Sequence, residues 1–317
     1  MSRPLKRPTL FYALPIGALG AAGVAFPLLL IFTPGLFSYL ALGAGMAAFL
    51  LAALVAGALS YLLVGLGGVY MFVCTLLVGL CLFVMLKKKA AYFDTALFSA
   101  AIVTMMLYLS MNLYDLLSGN TAFYTMQQIM REFWSMGLYD TGVFAGVLTQ
   151  AQWEIYVDMG QAYANALPDV LPAAICALGA AFGLTNTILA GRFSGRAGLD
   201  VKPMRRFSLW KLPRSFSSGL FIMAVGLIIV NEAGLPAANA VTYAVLAVIM
   251  LPLFVQGLST YWFFTNVRRQ KSFVKWGMVV LLVLTFPTCL VIMGIFGLTE
   301  QIIKLRERIM RRQDGSE

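Results

Sequence analysis

Gln256, Ser259 and Thr260 fall on one face of a long apolar stretch, one helical turn after Pro252. A proline inside a helix has no N–H of its own, so the carbonyl four residues earlier, here Val248, loses its partner. In lipid that carbonyl needs a polar side chain or a water. One amide and two hydroxyls nearby can act in two ways: they can join helix to helix, or they can hydrogen-bond a small polar ligand. Asn186, between Thr185 and Thr187, and Asn239 offer the same chemistry. Together with Gln256, Ser259 and Thr260 they form the candidate substrate-binding set. All are neutral, so the chemistry on offer is recognition and not bond-making.

Other chemistry is missing from the sequence. It contains no histidine, which removes imidazole metal sites, triads and proton shuttles. Cys74, Cys81, Cys176 and Cys289 lie in apolar runs without CxxC spacing, and read as small buried hydrophobes. No metal site and no cofactor is expected. There is no G-x-x-x-x-G-K-[ST] loop, so the chain does not hydrolyse ATP by P-loop chemistry. Asp94, Asp115 and Glu232 fall near the ends of apolar runs, away from the mid-membrane positions that proton relays use. The chain is not expected to be an enzyme. If it moves a solute, a partner supplies the energy.

The elements that must carry these residues are membrane helices. The sequence is 61% hydrophobic and 11% charged, against about 25% charged in a soluble domain. No Asp, Glu, Lys or Arg occurs between Pro8 and Leu86. A helical crossing takes about 20 apolar residues, so this stretch holds three or four. The apolar runs are continuous, whereas barrel strands alternate. The expected fold is all-α: a polytopic transmembrane helical bundle in one domain, 1–317, with eight or nine membrane segments. The spans fall at 11–32, 35–48, 49–64, 66–86, 92–114, 168–191, 215–236, 239–266 and 276–298. The count is eight if two early short segments form one bent helix.

Charge sets the topology. Of the 23 basic residues, all but Arg131 fall in five clusters: Arg3/Lys6/Arg7, Lys87–Lys89, Arg192 to Arg214, Arg268 to Lys275, and Lys304 to Arg312. Basic residues near span ends stay in the cytoplasm and can hold anionic lipid headgroups. The net charge of +10 is therefore no sign of nucleic acid. The loop 192–214 is expected in the cytoplasm of a bacterial inner or plasma membrane. The segment 115–167 is expected outside. Its nine aromatics, among them Phe123, Tyr124, Phe133, Trp134, Trp153 and Tyr156, suit short amphipathic helices at the outer interface, as an aromatic belt or a lid. The basic tail conflicts with this scheme, because three crossings after a cytoplasmic loop would leave it outside. Either the final run is not a simple crossing or the rule fails there.

The first span is too long for a signal-peptide core and is expected to stay uncleaved. It reads Gly17-Ala-Leu-Gly-Ala-Ala-Gly-Val-Ala25. Small residues permit close helix contact in lipid. Ala18, Ala22 and Ala25 could dock a partner subunit or pack within the bundle. Gly65/Gly68 and Gly179-xxx-Gly183 read as internal packing.

Several stretches carry a family resemblance: Phe207-Ser-Leu-Trp-Lys-Leu-Pro213, Asn239, Gln256-Gly-Leu-Ser259, and Gly297-Leu-Thr-Glu300. With a small-residue first helix, Pro34 leading into short helices, and a span ending in a lysine run, the chain resembles the YybS-like family of bacterial membrane proteins. That layout is similar to the substrate-binding S components of energy-coupling-factor (ECF) transporters. Their first helix docks a transmembrane coupling subunit through an Ala-xxx-Ala pattern, and Ala18/Ala22 and Ala21/Ala25 match it. The resemblance implies a small-molecule binding or transport subunit in the lipid bilayer, served by a transmembrane coupling subunit and an ATPase module. The alternative is a non-transporting membrane scaffold that organises proteins or lipids.

Overall fold

Glycines set the helix breaks in the N-terminal third. The computed structural model of the chain describes residues 9–26, 29, 32–119, 121–135, 149–202, 206–213, 215–234, 238–268, 270 and 272–313. The cluster Arg3/Lys6/Arg7, the bases Arg205, Arg214, Arg269 and Lys271, and residues 136–148 of the expected external segment lie outside these. Twelve α-helices occur among the described residues. The first four are α1 (Thr9–Ala25), α2 (Thr33–Ala44), α3 (Met46–Val64) and α4 (Leu66–Lys87). Gly45 between α2 and α3 has φ 90°, and Gly65 between α3 and α4 has φ 73°. Residues with a Cβ seldom adopt such angles. Two one-residue junctions thus turn the chain sharply enough for α2 and α3 to be separate helices.

Next come α5 (Tyr92–Ser118), α6 (Ala122–Phe133) and α7 (Gln150–Arg196), then α8 (Ser215–Glu232) and α9 (Ala238–Val267). A 3₁₀ turn at Phe207–Leu209 precedes α8, and α10 (Ser272–Leu284), α11 (Phe286–Ile303) and α12 (Leu305–Gln313) complete the chain. Among the described residues, six helices are long and apolar enough to cross a membrane: α3, α4, α5, α7, α8 and α9. Shorter apolar helices cover Tyr12–Ala25 and Thr288–Ile303. The architecture is a polytopic all-helical membrane fold. In α8 no residue is buried in the protein, and Phe221, Ile222, Ile228 and Ile229 are all exposed. An apolar helix bare on its flanks needs lipid around it.

Contacts divide the chain into two compact units. The first comprises Met1–Thr104, Ala177–Leu220 and Ile249–Glu317. Its main apolar core joins α1 to α4 around Phe37, Phe49 and Phe72. The Phe37 ring meets Phe49 edge-on at 5.8 Å and Phe72 at 5.7 Å. Small residues let the helices come close. A Cβ on Gly17 would lie 2.9 Å from the Ala52 carbonyl, and one on Gly20 would lie 3.0 Å from the Phe37 ring. Gly183 and Gly179 of α7 approach the Ala96 and Ala100 carbonyls of α5 in the same way. The Gly179-xxx-Gly183 pattern is internal packing, as its sequence suggests.

The second unit comprises Met105–Cys176 and Phe221–Val248. Helix α6 is a short amphipathic helix of the expected kind, but the chain after it differs. Helix α7 begins at Gln150, well before the expected span start at 168, and continues through Pro168 and Pro172. Pro168 cannot donate to the Ala164 carbonyl, and Gln127 Nε2 of α6 does so instead at 2.9 Å. This replacement bond offsets the usual cost of a proline inside a helix. Gln161 Nε2 bonds the Arg131 and Trp134 carbonyls at the end of α6, at 3.1 and 3.0 Å. Trp134 lies over Gly160 and beside the buried Trp153, ring centres 6.1 Å apart. Trp134 and Trp153 thus fasten α6 along the front of α7.

The final apolar run is also different. Over the expected span 276–298 the helix is interrupted at Thr285, giving α10 of 13 residues and α11 of 18. At about 1.5 Å per residue α10 covers only about 20 Å, short of a bilayer core of about 30 Å. The partners of α11 on α9 do not advance steadily. Phe286 meets Phe254, Gly294 faces Met250, and Phe296 meets Phe264. Helix α11 meets α9 most closely around Gly257 and Gly297. At the crossing, Gly257 lies against the Met293 carbonyl and Gly297 against the Leu253 carbonyl. Only hydrogen at both positions allows the backbones to touch. Lys304 then adopts left-handed angles, φ 55° and ψ 48°, and turns α12 back toward the first unit's interior.

Candidate functional site

The segment Phe207–Pro213 joins the basic loop to α8, and most of its backbone makes no helical bonds. Its polar groups therefore need side-chain partners. They find them on three helices. Ser259 Oγ of α9 donates to the Phe207 carbonyl at 2.7 Å. Gln256 Oε1 accepts the Leu212 N–H at 2.8 Å. Gln301 Nε2 of α11 reaches the Pro213 carbonyl at 3.2 Å. Arg306 Nη1 of α12 lies 3.0 Å from the Ser208 carbonyl, 2.9 Å from the Trp210 carbonyl and 3.0 Å from Ser259 Oγ.

The same side chains also join the helices to one another. Gln256 Nε2 donates to the Gly297 carbonyl at 3.2 Å and to Gln301 Oε1 at 3.0 Å. Thr260 Oγ1 donates within its own helix to the Gln256 carbonyl. Arg306 Nε meets Glu300 Oε1 at 2.8 Å, and its backbone N–H meets Glu300 Oε2. Lys211 pairs with Glu307 at 2.9 Å nearer the surface. Gln256, Ser259, Thr260, Glu300 and Arg306 are all buried. The amide and hydroxyls of the Pro252 turn are thus engaged within the protein, closing a knot around one loop.

The remaining sequence candidates lie elsewhere. Asn186 is buried in α7, where its Oδ1 accepts the Gly35 N–H at 2.8 Å and its Nδ2 donates to the Phe182 carbonyl. Gly35 is in the first turn of α2, where backbone N–H groups lack helical acceptors, so Asn186 caps one helix from the side of another. Asn239 is exposed near the start of α9, in the second unit. On α1, Gly17, Gly20, Ala21 and Val24 are buried, whereas Ala18 and Ala25 are exposed and Ala22 is half-buried. The glycine edge packs inward and the alanine edge faces away from the core.

A cleft of about 300 Å³ opens beside the knot. Tyr92 and Phe93 at the start of α5 form one wall, and Lys202, Leu209, Trp210 and Lys211 form the other. The Tyr92 hydroxyl donates to the Lys202 carbonyl at 2.7 Å and ties the walls together. At the loop's edge Lys89 meets Asp200 at 2.6 Å. The hydrogen bond and positive charge of Lys89 hold the Asp200 carboxyl below its ordinary pKa. Among the described residues no cluster of acids and cysteines could hold a metal ion.

Residues 16–300 match the family described as Predicted membrane protein (DUF2232). The chain belongs to this family. No curated protein and no solved structure matches it.

In this family member, three stretches quoted from the sequence meet at one place. Phe207–Pro213 is the loop in the knot, Gln256–Ser259 forms its floor, and Gly297–Glu300 supplies the crossing glycine and the buried acid. Sequence reasoning missed Gln301 and Arg306. Arg306 reads as one more base in a topogenic tail, yet it is fully buried. The signal that could have singled it out is Glu300, an acid closing an apolar run six residues before it.

Proposed function

We propose that the chain is a multi-pass subunit of a bacterial cytoplasmic membrane that binds a small molecule and works with a membrane partner. The observation that carries this reading is the division of α1. Its glycine edge is used inside the bundle, and Ala18, Ala22 and Ala25 remain on the outer side. Small residues facing lipid leave a shallow groove into which a second helix can pack closely. With no P-loop in the sequence, any energy for transport would come from that partner and its ATPase. The role is binding and not catalysis. The basic face formed by Lys89, Lys202, Lys211 and Lys304 would lie in the cytoplasm, with the tail on that side because Arg306 meets the loop.

The closed knot favours a second reading, a non-transporting scaffold. The polar side chains of α9 are engaged by the loop and by α11 and α12, so in this state they hold the protein together. Partner and ligand separate the readings. Wild-type protein extracted in mild detergent should carry a membrane subunit, a P-loop ATPase and a bound small molecule, all identified by mass spectrometry. Ala18→Leu and Ala22→Leu should remove the partner and leave a folded, monodisperse chain. A folded Ala18→Leu variant that keeps every partner sinks the docking idea. Wild-type protein that carries no small molecule and no ATPase leaves the scaffold.

A further inference from the structure

The cleft at the basic face combines two kinds of surface. Phe93, Leu209 and the Trp210 ring give an apolar wall, while Lys202 and Lys211 bring ammonium groups to its rim. Asp200 pairs with Lys89, outside the cleft, and Glu307 pairs with the cleft's own Lys211. Lys202 is exposed and forms no ion pair with any described residue. The cleft also has a defined depth. Tyr92 opens the membrane helix α5, and Lys211 lies four residues before Ser215, where α8 begins. Ends of membrane helices sit at the headgroup level, where Trp, Tyr and Lys are favoured.

We propose that this cleft binds a phosphate group, and that its source is the headgroup of an anionic phospholipid. Lys202 meets the phosphate, and Lys211, paired with Glu307, lines the rim beside it. The Trp210 and Phe93 rings cover the glycerol and the first acyl carbons. A free phosphate would use the ammonium groups and leave the apolar wall bare, which is why the lipid is the better fit. The backbone of the same loop closes the knot, so a lipid held here would rest directly on the element that joins α8, α9 and α12.

The test uses the full chain in mild detergent, with retained lipid counted by native mass spectrometry. The probes are phosphatidylglycerol and phosphatidylcholine of identical chains, with inorganic phosphate as the soluble competitor. Wild-type protein should retain phosphatidylglycerol in preference to phosphatidylcholine, and millimolar phosphate should not displace it. Lys202→Gln should weaken retention by about fivefold, the worth of one lysine at an anionic surface. Arg192→Gln, an equal loss of charge at an exposed position in the last turns of α7, should leave it unchanged. Both variants alter exposed side chains and should match the wild type in thermal stability. Equal loss in the two variants would mean diffuse attraction to the surface and overturn the site. Displacement by phosphate without lipid preference would overturn the lipid as source. Retention unaffected by Lys202→Gln would overturn the proposal outright.

Discussion

Arg306 and Glu300 form an ion pair out of contact with solvent, with side-chain exposures of 0% and 3%. Removing two charges from water costs several kcal/mol each, and their attraction offsets this only with good geometry and further hydrogen bonds. The pair is close, and the further bonds satisfy Arg306 in part: Nη1 is used, while Nη2 is buried without a hydrogen-bond partner among the described residues. Arg306 adds bonds to two loop carbonyls and to Ser259. Breaking such a pair from one side costs about 3–5 kcal/mol, because the other charge is left buried. Glu300→Gln and Arg306→Met should each lower stability by that order, read from thermal unfolding in detergent. The double variant should recover part of the loss. Single variants as stable as wild type would show that the pair contributes little.

Gln256 has a smaller but measurable part. Its amide accepts from one buried backbone N–H and donates to one carbonyl and one side chain. Leucine would fill the space and leave the Leu212 N–H without an acceptor. An unsatisfied buried group costs about 1–3 kcal/mol, more than the average of about 0.6 for an interhelical bond in membranes. Gln256→Leu should therefore unfold at lower temperature and free the loop. Increased proteolysis near Lys211 would report that release; unchanged melting and cleavage would contradict it.

The crossing of α9 and α11 makes a sharper prediction. At Gly257 and Gly297 an added methyl would collide with backbone of the opposite helix, which cannot yield as a side chain can. Overpacking typically costs about 1–3 kcal/mol, occasionally more. Gly257→Ala and Gly297→Ala should each reduce yield and stability. Gly277→Ala, with nothing within 4 Å of its new methyl, should behave as wild type. Equal behaviour of all three would mean the helices do not touch there.

Topology can be checked by labelling. The tail contacts the loop that charge assigns to the cytoplasm, through Arg306 and through Lys211–Glu307. Cysteines introduced at Gly195 and at Lys304, both exposed, should be labelled from the same side of the membrane. Basic and acidic segregation puts Thr149 on the other side. Opposite labelling of Gly195 and Lys304 would require α10 and α11 to make a full crossing.

The sequence by itself determined the class of the molecule. Uninterrupted apolar runs require helices in lipid, because lipid offers no partner for an exposed backbone amide. It also set the boundary at Gly65, the small-residue contacts of α7, and the clusters Lys87–Lys89 and 192–214 at helix ends, but it ran an early span through Gly45, where the structure turns. Only the tertiary structure decided how Gln256, Ser259 and Arg306 are used. A side chain that bonds a backbone carbonyl leaves no mark in the carbonyl's own sequence, since every residue has one. The burial of Arg306 was hidden for the same reason, whereas the break at Thr285 has a local mark in Pro287, in the first turn of α11, where proline is tolerated and the preceding helix cannot continue. Which edge of α1 faces out was also illegible. In a membrane both the interior of the bundle and its surroundings are apolar, so hydrophobicity cannot tell Gly20 from Ala18, and only close contact with Phe37 does.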